Sequence, residues 1–351
     1  MTPMDETAQR LDALGAFPGI EVVDAVSERR FFDEIVARSR PVVLRGLVAH
    51  WPAVHVARRS LADLIGYLKG LDSGLSADIM EGPPDLKGKF FYREDMQGFN
   101  FAKYRAPVAD TLDRILANAG PGDGPAIYMG SLPIRKHLPV FEARNPCPFD
   151  LPGAAPRLWI GAAALVQTHF DPVHNLACCV AGRRRFTLFP PEQVRNLYLG
   201  PFEMTPAGAA ISLARLEAPD FARFPRFKAA LATARTAVLE PGDALYLPHY
   251  WFHHVVATEP LNGLINYWWG EQRTGLDSPR NAFLAAVLAI RDLEGDEGVF
   301  WKAMFEHYVF RADGDPVVGI PPALQGAFGD MSAETRERIQ AFTLSLLNEK
   351  T

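Results

Sequence analysis

The chain has 351 residues, of which 48% are apolar and 22% charged, so it has the composition of an ordinary globular protein. This length can bury a core in one large domain or in two small ones. The formal net charge of -5 provides no broad basic surface, which disfavours a nucleic-acid partner.

Neither a secretory signal nor a membrane span is predicted. The first residues contain acids and no continuous apolar stretch, and no window of the chain approaches eighteen uninterrupted apolar residues. The three cysteines, Cys147, Cys178 and Cys179, are odd in number and two of them are adjacent, which does not suggest a disulfide framework. We therefore expect a reducing, cytoplasmic location.

Helices and short strands alternate in the first part of the chain. Helical spacing covers residues 29 to 39, 59 to 69 and 108 to 118, and the strand 42 to 44 follows the break at Arg40-Pro41. A Pro/Gly-rich stretch at 121 to 125 precedes a short strand at 127 to 129.

The centre of the chain contains many short apolar or alternating segments separated by glycine and proline. They lie at 158 to 160, 163 to 170, 176 to 180, 185 to 189, 236 to 239, 244 to 247, 253 to 257 and 263 to 268. Such a series favours an antiparallel sandwich or barrel, and we predict a mainly β fold of the jelly-roll type, a double-stranded β-helix with flanking N-terminal helices. The predicted catalytic domain spans residues 1–275.

The predicted second segment, residues 276–351, is helical. Apolar residues recur at threes and fours over 282 to 293, 299 to 310 and 333 to 347, and Ser332 is a candidate cap for the last helix. Phe283, Leu288, Phe300 and Phe342 belong to an apolar surface that we expect to form a homodimer. Packing of the segment against its own domain remains the alternative.

The segment Thr168-His169-Phe170-Asp171 offers a metal site. In a strand, residues i and i+2 project to the same face, so His169 and Asp171 can bind one ion from one side. Because a His-x-Asp pattern is not specific by itself, a third ligand is needed. The turn at Gly242-Asp243 leads through a strand to His253 and His254. Two histidines and one carboxylate leave three positions open at non-haem Fe(II), although a catalytic zinc also needs an open position.

Together these stretches resemble the JmjC/cupin-like hydroxylases that depend on Fe(II) and 2-oxoglutarate, and within them especially the asparaginyl hydroxylase called factor inhibiting HIF. The similarity spans residues 20 to 270 in order. It is carried by RPVVLRGLVAHWPA at 40 to 53, HFDPVHNLACCVAGRRRFTLFPPEQ at 169 to 193, PDFARFP at 219 to 225, and PGDALYLPHYWFHHV to LINYWWG between 241 and 270.

The resemblance implies that His169, Asp171 and His253 are the metal ligands and catalytic residues. It places Arg184 opposite the distal carboxylate of 2-oxoglutarate, with Arg183 or Arg185 as alternatives in register. Strand alternation puts Arg184 on the face opposite to its two neighbours, and a guanidinium can grip a carboxylate with two hydrogen bonds.

Further cosubstrate contacts are implied for Tyr128, Asn175 and Asn266. Val166 stands where the family often has a hydroxyl residue. Thr168 is expected to supply that hydroxyl instead, and its side chain points away from that of Val166 only if the strand is bulged. His254, His249 and His174 are expected not to be ligands, with His174 near the mouth of the site. Aromatic residues are expected to keep the cavity dry: Phe170, Phe186, Trp251, Phe252 and Trp268.

The implied reaction consumes 2-oxoglutarate and O₂, hydroxylates an unactivated C–H bond, and releases succinate and CO₂. The substrate is a protein or peptide side chain or a small molecule. The segment from Met204 to Ile211 is nearly bare of polar side chains, so asparaginyl specificity is not implied. The alternative function is a non-redox protein, a zinc-bearing cupin or a ligand-binding jelly roll.

Overall fold

The computed structural model describes residues 3–14, 16–119, 124–206, 208–271 and 273–348. Most of the Pro/Gly-rich stretch predicted at 121 to 125 lies outside these residues. The chain forms two compact units, divided between Glu271 and Gln272. The predicted division fell at 275/276.

The described residues of the first unit form thirteen strands. They are β1 Glu21–Asp24, β2 Val42–Arg45, β3 Ser76–Gly82, β4 Ala102–Pro107, β5 Ala126–Pro133, β6 Ala155–Gly161, β7 Ala164–His169, β8 His174–Ala181, β9 Arg184–Phe189, β10 Arg235–Leu239, β11 Ala244–Leu247, β12 Phe252–Ala257 and β13 Asn262–Trp269. A nine-stranded sheet has the order β1-β2-β11-β8-β13-β6-β5-β3-β4, and a four-stranded sheet has the order β10-β9-β12-β7. Among these described strands, β1 and β2 pair in parallel and the other neighbours pair antiparallel. The predicted mainly β, jelly-roll fold is confirmed.

Residue alternation along the strands separates the interior of the sandwich from its outer faces. On β8, Leu176, Cys178 and Val180 pack into the largest core cluster, whereas Ala177 and Cys179 pack with Phe186 of β9. Successive side chains in a strand point to opposite faces, so Asn175 shares the inward face with Ala177. Asn175 therefore faces the interior of the sandwich, next to the apolar cluster that contains Ala177 and Phe186.

Helices cover the outer faces of both sheets. They are α1 Pro3–Ala13, α2 Glu28–Arg30, α3 Pro52–Arg59, α4 Leu61–Lys69, α5 Val108–Ala117, α6 Ile134–His137, α7 Phe141–Arg144 and α8 Phe227–Thr233, with a π-helical turn at Phe31–Val36 and 3₁₀ turns at Pro84–Leu86 and Pro191–Asn196. Residues of α3, α4 and α5 pack on the large sheet, and residues of α1 and α8 pack on the small one.

Aspartate 243 joins the turn before β11 to the end of β2. Its carboxylate accepts hydrogen bonds from the backbone N–H groups of Gly46 and Glu240, both at 2.9 Å, and pairs with the Arg45 guanidinium. A buried carboxylate that accepts this many donors fixes the turn. The turn that begins β11, the strand before the His253 strand β12, is therefore held in place by Asp243.

The second unit is helical, as predicted, with α9 Pro279–Ile290, α10 Gly295–Met304 and α11 Ala333–Asn348. A π-helical turn follows α10 at Phe305–Val309, and 3₁₀ turns lie at Gly275–Asp277, Pro322–Leu324 and Gly326–Phe328. The Ser332 hydroxyl accepts from the Thr335 backbone N–H at 3.2 Å, which is the predicted cap of α11. Neither α9 nor α10 contains a buried residue. No helix in the described ranges is both long and apolar enough to cross a membrane.

Candidate metal centre

Two histidines face each other across neighbouring strands of the small sheet. His169 ends β7 and pairs directly with His253 on β12. Between His253 and Val255 the pairing shifts by one residue, so that Gln167 and Thr168 of β7 oppose the single residue His254. Such a β-bulge re-aims side chains. Here it lets Val166 and His169 both point inward although three positions separate them.

Asp171 completes a group of three possible ligands. One ligand atom from each of His169, Asp171 and His253 lies within 4.8 Å of the other two. The Nδ1 atoms of both imidazoles lie on backbone carbonyls: His169 on Gln167 O at 2.8 Å and His253 on Trp251 O at 3.1 Å. A carbonyl only accepts, so each Nδ1 carries the proton and each Nε2 has a free lone pair for a metal.

The carboxylate of Asp171 is oriented by two donors from the large sheet. Asn175 Nδ2 donates to Asp171 Oδ2 at 3.3 Å, and Trp268 Nε1 donates to the same oxygen at 3.2 Å. Hydrogen bonds to a ligating carboxylate fix its geometry. The site is therefore held by both sheets, with the histidines on one and the donors to the carboxylate on the other.

His253 is in the charge state that a ligand requires. Burial, and then the neighbouring His169 ring, lower the pKa of His253 to about 4. Its imidazole is therefore neutral at pH 7. The two rings lie with centroids 4.1 Å apart, and His253 Nε2 is 3.8 Å from Asp171 Oδ2. Two imidazoles and one carboxylate are a donor set that fits non-haem Fe(II).

Arg184 lies at the start of β9 and is 2% exposed. Among the residues that the structure describes, its guanidinium donates one long hydrogen bond, from Nη2 to the Trp159 carbonyl at 3.4 Å, and its buried Nε has no hydrogen-bond partner. Arg183, by contrast, is half-exposed and forms an ion pair with Glu240 at 3.0 Å. A buried cation without a counter-charge is costly. Arg184 therefore fits a site that receives the carboxylate of 2-oxoglutarate.

The other predicted cosubstrate residues are buried in the same unit. Tyr128 is 3% exposed and packs near Trp159, with ring centroids 6.4 Å apart. Asn266 Oδ1 accepts from Trp159 Nε1 at 2.8 Å. Thr168 lies in the bulge, and its buried hydroxyl has no hydrogen-bond partner among the described residues. Their contacts with a cosubstrate remain predictions.

The remaining histidines of this region do not join the group of three. His254 is fully buried, with Nε2 3.8 Å from Glu217 Oε2. His174 Nδ1 lies 3.1 Å from the Tyr246 hydroxyl, and its ring stacks on Trp269. Because Tyr246 and Trp269 belong to the largest core cluster, His174 lies on the outer face of the large sheet. It lines neither the interior nor its mouth, which corrects that expectation.

A cavity adjoins His169. Strand residues form one wall and the segment after β9 forms the other, through Tyr128, Trp159, Val166, Pro206, Ala209 and Ile211. Phe186 packs in the interior apolar cluster and Trp251 packs against it, and neither is among the residues that line this cavity. Phe170 and Phe252 pack instead against the cluster on the outer face of the small sheet, with ring centroids 5.3 Å apart, so they do not line the cavity.

Comparison with known proteins agrees with this geometry. The model of the cupin-like domain matches residues 28–275. The chain belongs to the cupin-like domain family. It is 27% identical over 274 residues to the human bifunctional peptidase and (3S)-lysyl hydroxylase JMJD7, covering 68% of this chain and 80% of that protein.

Three other relatives match different shares of this chain and carry different names. The Drosophila melanogaster Jumonji C domain-containing protein 5 is 28% identical over 260 residues, 71% of this chain and 59% of its own. The chicken tRNA wybutosine-synthesizing protein 5 is 26% identical over 275 residues, 72% of this chain and 78% of its own. A shorter match, 37% over 112 residues, links this chain to 20% of the Arabidopsis thaliana lysine-specific demethylase JMJ31. The chain thus spans less than two thirds of some of these relatives.

Several residues around the centre were not predicted from the sequence. The roles of Trp268 and Trp159 as donors were missed, although Trp268 lies two residues beyond Asn266 and so shares its face. Gln167 and Glu217, which lie behind the ligands, carry no sequence signal, because their proximity depends on the bulge and on the fold of a long connection.

Proposed function

We propose that this chain is an Fe(II)- and 2-oxoglutarate-dependent oxygenase that hydroxylates an unactivated C–H bond of a protein side chain or small molecule. The observation that carries the proposal is the group His169, Asp171 and His253 in one unit with Arg184, which is buried and has no carboxylate partner among the described residues. The relatives are named as JmjC-type proteins and include a hydroxylase and a demethylase, which supports an oxygenase.

When bound, Fe(II), 2-oxoglutarate and O₂ supply the oxidising power, with succinate and CO₂ as co-products. The chain contributes binding and orientation. The two imidazoles present Nε2, Asp171 offers a negative charge held by Asn175 and Trp268, and Arg184 supplies the positive charge for the distal carboxylate. Tyr128, Asn175, Asn266 and Thr168 are the proposed further contacts.

The non-redox alternative, a zinc-bearing cupin or a ligand-binding jelly roll, uses the same three ligands. It gives no reason for a buried Arg184. A protein that only held a metal would carry the cost of that cation without a compensating anion.

The substrate is proposed only as a class. The named substrates of the relatives include lysyl residues and a tRNA nucleoside, so they do not agree on one compound. Pro206, Ala209 and Ile211 line the cavity, which supports a substrate whose reacting part is apolar. We also propose that, within the family, the chain is most similar to factor inhibiting HIF. This proposal does not include the asparaginyl substrate of that enzyme.

Two properties of the whole protein are also proposed. The first is a homodimer through the helices of the second unit, because Leu288, Phe300 and Phe342 are 88%, 57% and 63% exposed. The second is a cytoplasmic location, which is supported by the free thiols of Cys147, Cys178 and Cys179.

The test of the proposed function is anaerobic reconstitution with Fe(II), followed by admission of O₂ and measurement of succinate against a panel of peptides and small molecules. Zn(II)-loaded protein is the control. We expect succinate only with Fe(II), and one class of compounds should increase it. Equal succinate with both metals, or none with either, would contradict the proposal.

A further inference from the structure

A carboxylate that the proposed reaction does not use is buried behind the metal ligands. Glu217 is 3% exposed and lies in the connection between β9 and β10. Its Oε1 accepts from Gln167 Nε2 at 3.1 Å and from Arg215 Nε at 2.7 Å, and its Oε2 is 3.8 Å from His254 Nε2. A buried charge is retained at a cost, so these contacts must hold it.

Two of the residues that contact Glu217, Gln167 and His254, lie close in sequence to the proposed metal ligands. The carbonyl of Gln167 accepts from His169 Nδ1 at 2.8 Å. His254 directly follows His253, and it is the residue that Gln167 and Thr168 oppose at the bulge. A carboxylate only accepts hydrogen bonds, so it fixes the amide of Gln167 with its NH₂ toward Glu217. Holding that side chain restrains the peptide whose carbonyl orients His169.

The same connection forms a wall of the cavity. Pro206, Ala209 and Ile211 line it, and the Ser212 N–H donates to the Thr168 carbonyl at 2.7 Å. The wall is therefore fastened to β7 at two points, through the Ser212 backbone and through the Glu217 side chain. Both points lie within two residues of His169.

We propose that Glu217 is a positioning residue: through Gln167 it orients the His169 imidazole for the metal and fastens the cavity wall to the strand that carries that ligand. This inference rests on the proposed function, because it requires a metal at the three ligands. Outer partners of metal ligands typically change metal affinity about 10–100-fold when they are removed.

The test uses Co(II) as the probe, titrated anaerobically into the full-length metal-free chain and followed by its visible absorption. Glu217→Gln keeps the size of the side chain but replaces an acceptor with a donor facing Gln167, Arg215 or His254. Glu81→Gln is the matched control, because Glu81 also pairs with an arginine, Arg114 at 2.8 Å, and with Tyr104, on a strand that carries no ligand.

We expect Glu217→Gln to weaken Co(II) binding about 10–100-fold and to change the shape of the Co(II) bands, with Glu81→Gln like the wild type. Gln167→Leu keeps the Glu217–Arg215 pair and removes only the link to the His169 strand. Gln167→Leu should also weaken Co(II) binding. If Glu217→Gln does not fold, the Co(II) affinity of Gln167→Leu tests the inference instead.

The outcomes separate the inference from the proposed function. Wild-type protein that does not bind Co(II) would overturn both. If the wild type binds, unchanged affinity and unchanged bands in Glu217→Gln and Gln167→Leu would overturn the inference alone. A lower unfolding midpoint with unchanged affinity and bands would also overturn it, because a purely structural role predicts that result.

Discussion

Replacing Arg184 by methionine should stabilise the ligand-free protein and weaken its binding of 2-oxoglutarate. Arg184 is 2% exposed, and among the described residues its guanidinium makes one 3.4 Å hydrogen bond and leaves Nε without a partner. Methionine fills a similar volume without a charge. Because a buried unpaired ion costs several kcal/mol, we expect the free energy of unfolding to rise by roughly 1–3 kcal/mol.

The loss of binding follows from the missing charge-assisted hydrogen bonds. These contribute about 2–3 kcal/mol when a partner is buried, so the dissociation constant for 2-oxoglutarate should rise about 30- to 150-fold. Urea unfolding of the ligand-free protein measures the first effect. Anaerobic calorimetric titration of 2-oxoglutarate into Fe(II)-loaded protein measures the second.

Arg183→Met is the matched control. Arg183 pairs with Glu240 at 3.0 Å, but the two side chains are 57% and 54% exposed. An ion pair in that setting contributes little, so both quantities should stay within about 0.5 kcal/mol of wild type. Equal loss of 2-oxoglutarate binding in the two variants, or destabilisation of Arg184→Met by more than about 2 kcal/mol, would refute the reasoning.

Three further outcomes are expected. Trp268→Phe removes the indole donor to Asp171 and should weaken Fe(II) about 10-fold in a competition titration, whereas unchanged affinity would show that the hydrogen bond is unimportant. Full-length protein should sediment as a dimer at micromolar concentration and a chain ending at Thr274 as a monomer, so a monomeric full-length chain would remove the dimer proposal. His254 and Arg215 hold the pKa of Glu217 at about 2 despite burial, below its ordinary 4.5. Its contribution to stability is therefore present above pH 4.5 and lost as the pH falls toward 2, and Glu217→Gln should lose less stability in urea titrations across that window than wild type.

The sequence predicted the strands of the jelly roll well because their alternation and their glycine and proline boundaries are local. The strands β6 to β13 lie within a few residues of their predicted positions. The strands β3 and β4, and the helices α1 and α8, were not predicted. β3 and β4 continue the large sheet at its edge, where β3 pairs with β5 and β4 pairs with β3, so their formation depends on neighbouring strands more than on their own pattern.

The ligand group was predicted partly from a local rule, the alternation of side chains in a strand, and the family resemblance supplied His253. β7 ends at His169, so Asp171 lies beyond the strand, and its position beside the histidines depends on the segment between β7 and β8. The bulge opposite His254 could not be predicted in position, since it depends on how β7 and β12 register. Phe170 and Phe252 were expected inside the cavity and lie outside it, because each directly adjoins a ligand histidine and neighbouring residues of a strand point to opposite faces.

The most direct test of the central claim compares succinate release by wild-type protein and by Asp171→Ala, both loaded with Fe(II) and supplied with 2-oxoglutarate and O₂. Asp171 belongs to none of the hydrophobic core clusters, so the variant should stay folded, which its unfolding temperature checks. We predict that it releases at least about 100-fold less succinate, because removing a ligand costs no less than removing an outer partner of one. Succinate release at a comparable rate by the folded variant would contradict the assignment of His169, Asp171 and His253 as the metal centre.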